Sequence, residues 1–184
     1  MTTTISKELV DNLNKNVTAN YTGRGWEGEN YKKERIYNTS IITKLTREFI
    51  KTNLKGYRFS ITTSKYSGGA SISIDLMGAP HAAFETPNPE LVPNNVRFSM
   101  PNGLEHAMKS WEYNINKNHA QVNHYYIDNA YYLTTKTREV LKTVYKFVNS
   151  FNYDDSDAQI DYFDTNFYVH MSVGKWDKPF IKTN

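Results

Sequence analysis

The chain has 184 residues, no cysteine, 14 tyrosines and a formal charge of +3. Such a length buries a core without staples, and the missing cysteine excludes disulfides, thiolate nucleophiles and zinc ribbons. No apolar run approaches the ~20 residues that span a bilayer, and the opening "MTTTISKELVDNLN" lacks the basic-then-apolar plan of a secretory signal. The expectation is a soluble protein of a bacterial cytoplasm with no membrane partner. Charge is unevenly spread: residues 1–66 carry twelve Lys and Arg against six Asp and Glu, and residues 151–184 carry three Lys against six Asp. A basic front and an acidic end attract different partners, or each other.

Leu9, Val10, Leu13 and Val17 recur at helical spacing and predict a short helix over residues 6–17. Residues 18–39, "TANYTGRGWEGENYKKERIYNT", have no periodicity and read as a Gly-rich arm. Residues 1–39 are therefore set apart from a single domain over 40–184. Ser40 opens a predicted helix to about Leu54 with Ile41, Ile42, Leu45, Phe49 and Ile50 as its stripe. Next, Tyr57, Phe59 and Ile61 alternate with polar residues, and Ile72, Ile74 and Leu76 alternate with Ser71, Ser73 and Asp75. That is a β-hairpin with one apolar and one hydroxyl-covered face, turned by the positive φ angles of Gly68-Gly69.

Residues 78–103 hold five of the six prolines and read as a long irregular crossing. A helix over 104–116 places Leu104, Met108, Trp111 and Ile115 on one side, and "QVNHYYI" reads as a short strand. Thr134 or Thr135 caps a helix through about Phe151, and "NFYVHMSVG" closes the pattern as a strand in which Phe167, Val169 and Met171 alternate with Tyr168, His170 and Ser172. Together these predict an α+β fold: an antiparallel sheet built on the hairpin, with helices packed on its apolar face.

"GRGWEG" at 23–28 fits the spacing of a dinucleotide fingerprint, but no buried strand precedes it and two glutamates sit where phosphate would bind. It reads instead as an arm presenting Arg24 and Trp26, residue types common in interface hot spots. "DDSDAQIDYFD" contains neither the Gly nor the Glu of a calcium loop, so its aspartates read as turn caps or as an acidic surface. The five histidines show no metal-binding spacing, and His119 and His124 would lie on opposite faces of a regular strand. No catalytic residue, metal or cofactor is assigned. "RGWEGENYKKER" and "NHYYIDNAYY" interleave aromatic and basic groups in a way that also suits single-stranded nucleic acid, although glutamates dilute the first.

The stretch "LTREFIKTNLKGYRFSITTSKYSGGASISIDLMGAP" resembles the large polyvalent-protein-associated domain of type 29, found in proteins of phages and other mobile elements. Residues 40–77 carry the resemblance, and residues 120–173 are more loosely similar. It implies a small accessory protein of a mobile element, in a setting where counter-defence functions are common, and carries over no catalytic motif. The leading expectation is a non-enzymatic inhibitor of the anti-CRISPR or anti-restriction kind, which binds and blocks a host protein such as a defence nuclease complex. Its expected contact residues are Arg24, Trp26, Tyr66, Asp154, Asp155 and Asp157. A nucleic-acid-binding accessory protein and a small enzyme with a dispersed active site stand as the alternatives.

Overall fold

Helices form where apolar side chains recur every third or fourth residue and can be buried together. In the computed structural model, which describes residues 7–15, 25–31 and 37–183, they are α1 (Lys7–Lys15), α2 (Thr39–Asn53), the single turn α3 (Asn94–Arg97), α4 (Gly103–Lys117) and α5 (Thr135–Asn149). Val17 and Arg24 lie outside the described residues. The side chain of Asn38, not the expected Ser40, caps α2 by accepting the Ile41 N–H at 3.1 Å. Thr134 caps α5 as expected, its Oγ1 accepting from the Thr137 N–H.

The strands are β1 (Trp26–Glu27), β2 (Arg58–Tyr66), β3 (Gly69–Ala79), β4 (Ala120–Val122), β5 (Tyr153–Asp154), β6 (Tyr168–Val173) and β7 (Ile181–Lys182). The main sheet has the order β2-β3-β6-β4, with β7 beside the end of β3, and β1 pairs with β5 in a separate two-stranded ladder. The hairpin β2–β3 forms as the alternation requires. Gly68 alone of the glycine pair has a positive φ, +90°, because Gly69 already belongs to β3. The expectation of antiparallel pairing holds for β2–β3 and β4–β6, while β6 runs parallel to β3. "QVNHYYI" is a strand only to Val122; His124–Asn129 then coil as a 3-10 helix capped by Asn123.

Paired residues of neighbouring strands share a face. Ile61, Ile74 and Met171 therefore lie on one side, where they are buried with Ile72, Leu76, Val169 and Val173. Against them pack Leu13 of α1, Ile42, Leu45 and Phe49 of α2, and Leu141, Val144 and Phe147 of α5 in one core, each fully buried side chain contributing roughly 2 kcal/mol. Phe49 and Phe147 stack with centroids 4.2 Å apart and join α2 to α5. The proline-rich crossing is held by a smaller cluster around Trp111, whose Nε1–H donates to the Glu85 carbonyl at 3.1 Å.

Candidate binding groove

All three helices of the main core occupy one face, so the other face of the sheet is left to polar side chains. Ser60, Thr62 and Ser64 of β2 stand beside Asp75, Ser73 and Ser71 of β3, which stand beside Ser172, His170 and Tyr168 of β6. This is the hydroxyl-covered face expected from the hairpin, extended by a third strand. Beyond β6 the sheet narrows, because β4 pairs with Met171–Val173 and then turns away. A groove of about 1040 Å³ opens there. It runs from Thr62, Ser73 and Asp75 across β6 to His124, Tyr145, Asn149 and Asn152.

The β1–β5 ladder brings Trp26 opposite Asp154, and both line the groove. Gly28 makes this docking possible. A Cβ at that position would lie 2.3 Å from the Ser150 carbonyl oxygen, which only glycine avoids. Its N–H donates to the Asn152 carbonyl at 2.8 Å, and the Asn30 N–H donates to the Ser150 carbonyl at 2.8 Å. The last glycine of "GRGWEG" thus serves close packing of a strand on the end of α5, and the described residues that follow it, 29–31, form no helix to receive a phosphate.

One end of the groove is fixed by buried amides. Asn152 Nδ2 donates to Asn149 Oδ1 (3.0 Å) and to the Phe167 carbonyl (2.9 Å), and its Oδ1 accepts the Phe167 N–H (3.1 Å). The side chain thereby stands in for a strand partner beside Phe167, just before β6 begins. Asn149 Nδ2 donates in turn to the Tyr145 hydroxyl at 3.1 Å. At the other end, Asp75 Oδ1 accepts from Ser172 Oγ at 2.8 Å, and Oδ2 lies 3.2 Å from Lys175 Nζ. The Ser172 hydroxyl is also 2.5 Å from the Gly174 carbonyl, so a single proton is contested by two acceptors. The lysine is close to Asp75 Oδ2 yet badly directed: among the described residues that buried oxygen has no hydrogen-bond partner, and the pair acts through charge.

Between the two ends lies an aromatic and imidazole cluster. The His124 ring sits 4.1 Å from Tyr125 and 5.2 Å from Tyr145, centroid to centroid. Burial first, and then the neighbouring His170, hold its imidazole below its ordinary value and favour the neutral ring. Burial, Tyr125 and Asp154 push the Tyr145 hydroxyl up, and burial with Asp154 raises Tyr125. The field of Asp154 therefore reaches both rings. Tyr132, also on the lining, is pushed up to about 12 by burial and by Tyr131. Among the described residues no group of three or more His, Asp or Glu is arranged to hold a metal ion.

The profile of a family described as large polyvalent protein associated domain 29 matches residues 37–134, just over half of the chain. The chain belongs to this family. Membership makes it a polyvalent, phage-type accessory protein. No curated protein and no solved structure matches significantly. The polyvalent-protein domain match runs from the start of α2 to the cap of α5, so the looser similarity read over residues 120–173 is carried by the profile no further than Thr134. The groove straddles that boundary. Thr62, Ser73, Asp75, His119, His124 and Tyr125 come from the matched region, whereas Trp26, Tyr145, Asn152, Asp154, His170 and Lys175 lie outside it.

Of the contact residues expected from the sequence, the groove brings together Trp26 and Asp154. Tyr66 stands at the exposed hairpin tip and donates to the Ala70 carbonyl, away from the lining. Asp155 and Asp157 are in the acidic turn beside it: the Asp155 N–H donates to the Asp164 carbonyl and Asp157 Oδ1 accepts the Gln159 N–H. The capping use expected of the aspartates is what Asp154 and Asp157 show, their Oδ1 atoms accepting the Ser156 and Gln159 N–H groups, while Asp155 enters through its backbone. His119 and His124 line the same groove together with His170, contrary to the opposite faces read from a regular strand, because the strand ends at Val122. The period-2 pattern of "NFYVHMSVG" already placed Tyr168 and His170 on the polar face; the register that sets them beside Ser71 and Ser73 had no local signal. No helix among the described residues is long and apolar enough to cross a membrane.

Proposed function

We propose that this phage-type accessory protein acts by binding a host protein in the groove and blocking it, with a component of a defence complex as the target. The observation that carries the reading is the rim. Four aromatic side chains on the groove lining are left in solvent: Trp176 is 87% exposed, Phe163 60%, Tyr125 54% and Tyr168 42%. Large aromatics clustered around one concavity are costly to leave wet and are the residue types that dominate protein interfaces. Within the sequence-derived contact set, Trp26 and Asp154 belong to this surface.

The reading assigns no catalytic step. Asp75 is engaged by Ser172 and Lys175, Asp154 Oδ1 accepts the Ser156 N–H, and the largely buried His124 lies among aromatic rings. A nucleic-acid backbone is disfavoured in the groove, where Asp75, Asp154 and Asp177 face Lys175. The test is affinity capture of the tagged protein from host lysate, with and without nuclease. A stoichiometric host protein retained by the wild type after nuclease and lost by the Phe163→Ala/Trp176→Ala double variant is the expected result. Retention by the double variant, or recovery of nucleic acid alone, rejects the reading.

A further inference from the structure

We infer that the groove receives a guanidinium or ammonium side chain carried by an extended segment of the partner protein. This rests on the reading of the groove as a protein-binding site. The charge balance comes first. Lys175 is matched with Asp75 at 3.2 Å, which leaves Asp154 and Asp177 as the uncompensated charges of the lining among the described residues, histidines counted as neutral. Asp154 uses one carboxylate oxygen on the Ser156 N–H, and a carboxylate has acceptor sites to spare. Asp75 contributes a buried oxygen, its side chain 10% exposed, that no donor satisfies with good direction. The aromatic rings of Tyr125, Phe163, Tyr168 and Trp176 line the same groove. Carboxylates within an aromatic surround select cations, and the guanidinium group in particular both stacks and donates.

The backbone of β6 argues that the cation arrives on a peptide. The Gly174 N–H donates to the Leu76 carbonyl of β3 at 2.8 Å, and peptide groups alternate sides along a strand, so those of residues 168, 170 and 172 face β3. Those of the odd residues face the groove side. There Phe167 is engaged by Asn152 and Met171 stands opposite Val122. Val169 lies between them with no strand partner opposite among the described residues. Val169 is buried in the core yet borders the groove, and an extended segment crossing there can bond its peptide group by strand-edge pairing, while the segment's side chain reaches toward Asp154.

The test uses labelled ten-residue peptides of alternating Ser and Arg, the same peptide with citrulline for Arg, and a Ser/Glu peptide, with anisotropy as readout on the full chain. The inference expects the Arg peptide to bind, the citrulline peptide to bind at least about tenfold more weakly, and Asp154→Asn and Asp177→Asn each to cost several-fold. Asp177→Asn, on an exposed side chain, guards against a folding defect in the other variant. Equal binding of Arg and citrulline peptides, no binding of the Arg peptide, or stronger binding of a single-stranded oligonucleotide of matched charge overturns the inference. Spermidine competing as well as the Arg peptide also overturns it, since the segment would then contribute nothing. Failure here with groove-dependent capture of a host protein intact refutes the cation and leaves the protein-binding reading standing. Arg-peptide binding with capture unaffected by Phe163→Ala/Trp176→Ala refutes that reading itself.

Discussion

Replacing Asn152 by Ala is expected to destabilise the protein far more than a surface Asn→Ala change. The side chain makes three hydrogen bonds at 2.9 to 3.1 Å, to the Phe167 N–H, the Phe167 carbonyl and Asn149 Oδ1. Its removal leaves the Phe167 N–H and Asn149 Oδ1 without a mate and the Phe167 carbonyl with only the Thr165 hydroxyl at 3.4 Å, in a buried setting where each group so deprived costs about 1 to 3 kcal/mol. Because Asn152 borders the groove, water can reach part of the vacated space, so the lower end applies and the total is about 3 kcal/mol. For a chain of this size that corresponds to a fall in Tm of roughly 6 to 12 °C. Asn152→Asp keeps an acceptor for the Phe167 N–H but sets a buried carboxylate oxygen against two acceptors, the Phe167 carbonyl and Asn149 Oδ1, so it should be no more stable than Ala. Urea titration followed by circular dichroism reads both variants, with an unchanged m-value showing that the same surface unfolds. A loss below ~1 kcal/mol for Asn152→Ala would refute the claim that this amide acts as the strand partner of Phe167.

Three further outcomes are expected. Gly28→Ala puts a methyl group 2.3 Å from the Ser150 carbonyl oxygen and 2.7 Å from that of Asn149, so β1 should detach while the core stays folded. Amide exchange at positions 28 and 30 then rises by about 100-fold, matching roughly 3 kcal/mol of lost docking, and unchanged exchange would show that the backbone accommodates the methyl. His124 binds protons less readily in the folded chain than at its ordinary value of 6.5, so the unfolded chain takes up more protons below that pH. Its contribution to stability is therefore full above about pH 6.5 and is lost as pH falls through the lower folded value; His124→Phe should flatten the Tm profile between about pH 7 and 5, and parallel profiles would contradict this. Trp176→Ala, at a side chain 87% exposed, should change stability by less than about 0.5 kcal/mol and still weaken capture of the partner about tenfold, as paired melting and capture measurements would show.

Much of the architecture is legible because it is local. The stripe Ile42, Leu45, Phe49 marks α2, the cap Thr134 marks the start of α5, and the alternation on both sides of Ser67-Gly68 marks the hairpin. The groove is legible only in fragments, since its parts are far apart in sequence. Ser73 and His170 meet through the parallel register of β3 with β6, and Trp26 meets Asp154 through a two-residue ladder. Neither pairing leaves a periodic trace. The strand reading of "QVNHYYI" holds to Val122 and fails beyond it for a related reason: Asn123 caps a 3-10 turn by accepting the Tyr125 N–H, and this short polar contact overrides the β propensity of the residues that follow.

Photocrosslinking from the groove rim tests the central claim most directly. Phe163→p-benzoylphenylalanine places a reactive ketone on the lining, and Tyr66→p-benzoylphenylalanine places the same group at the hairpin tip, outside the lining. Irradiation in nuclease-treated host lysate is predicted to give a discrete protein adduct from position 163 and none from position 66. Adducts of equal yield from both positions, or a protein adduct from position 66 alone, would contradict the assignment of the groove as the binding surface.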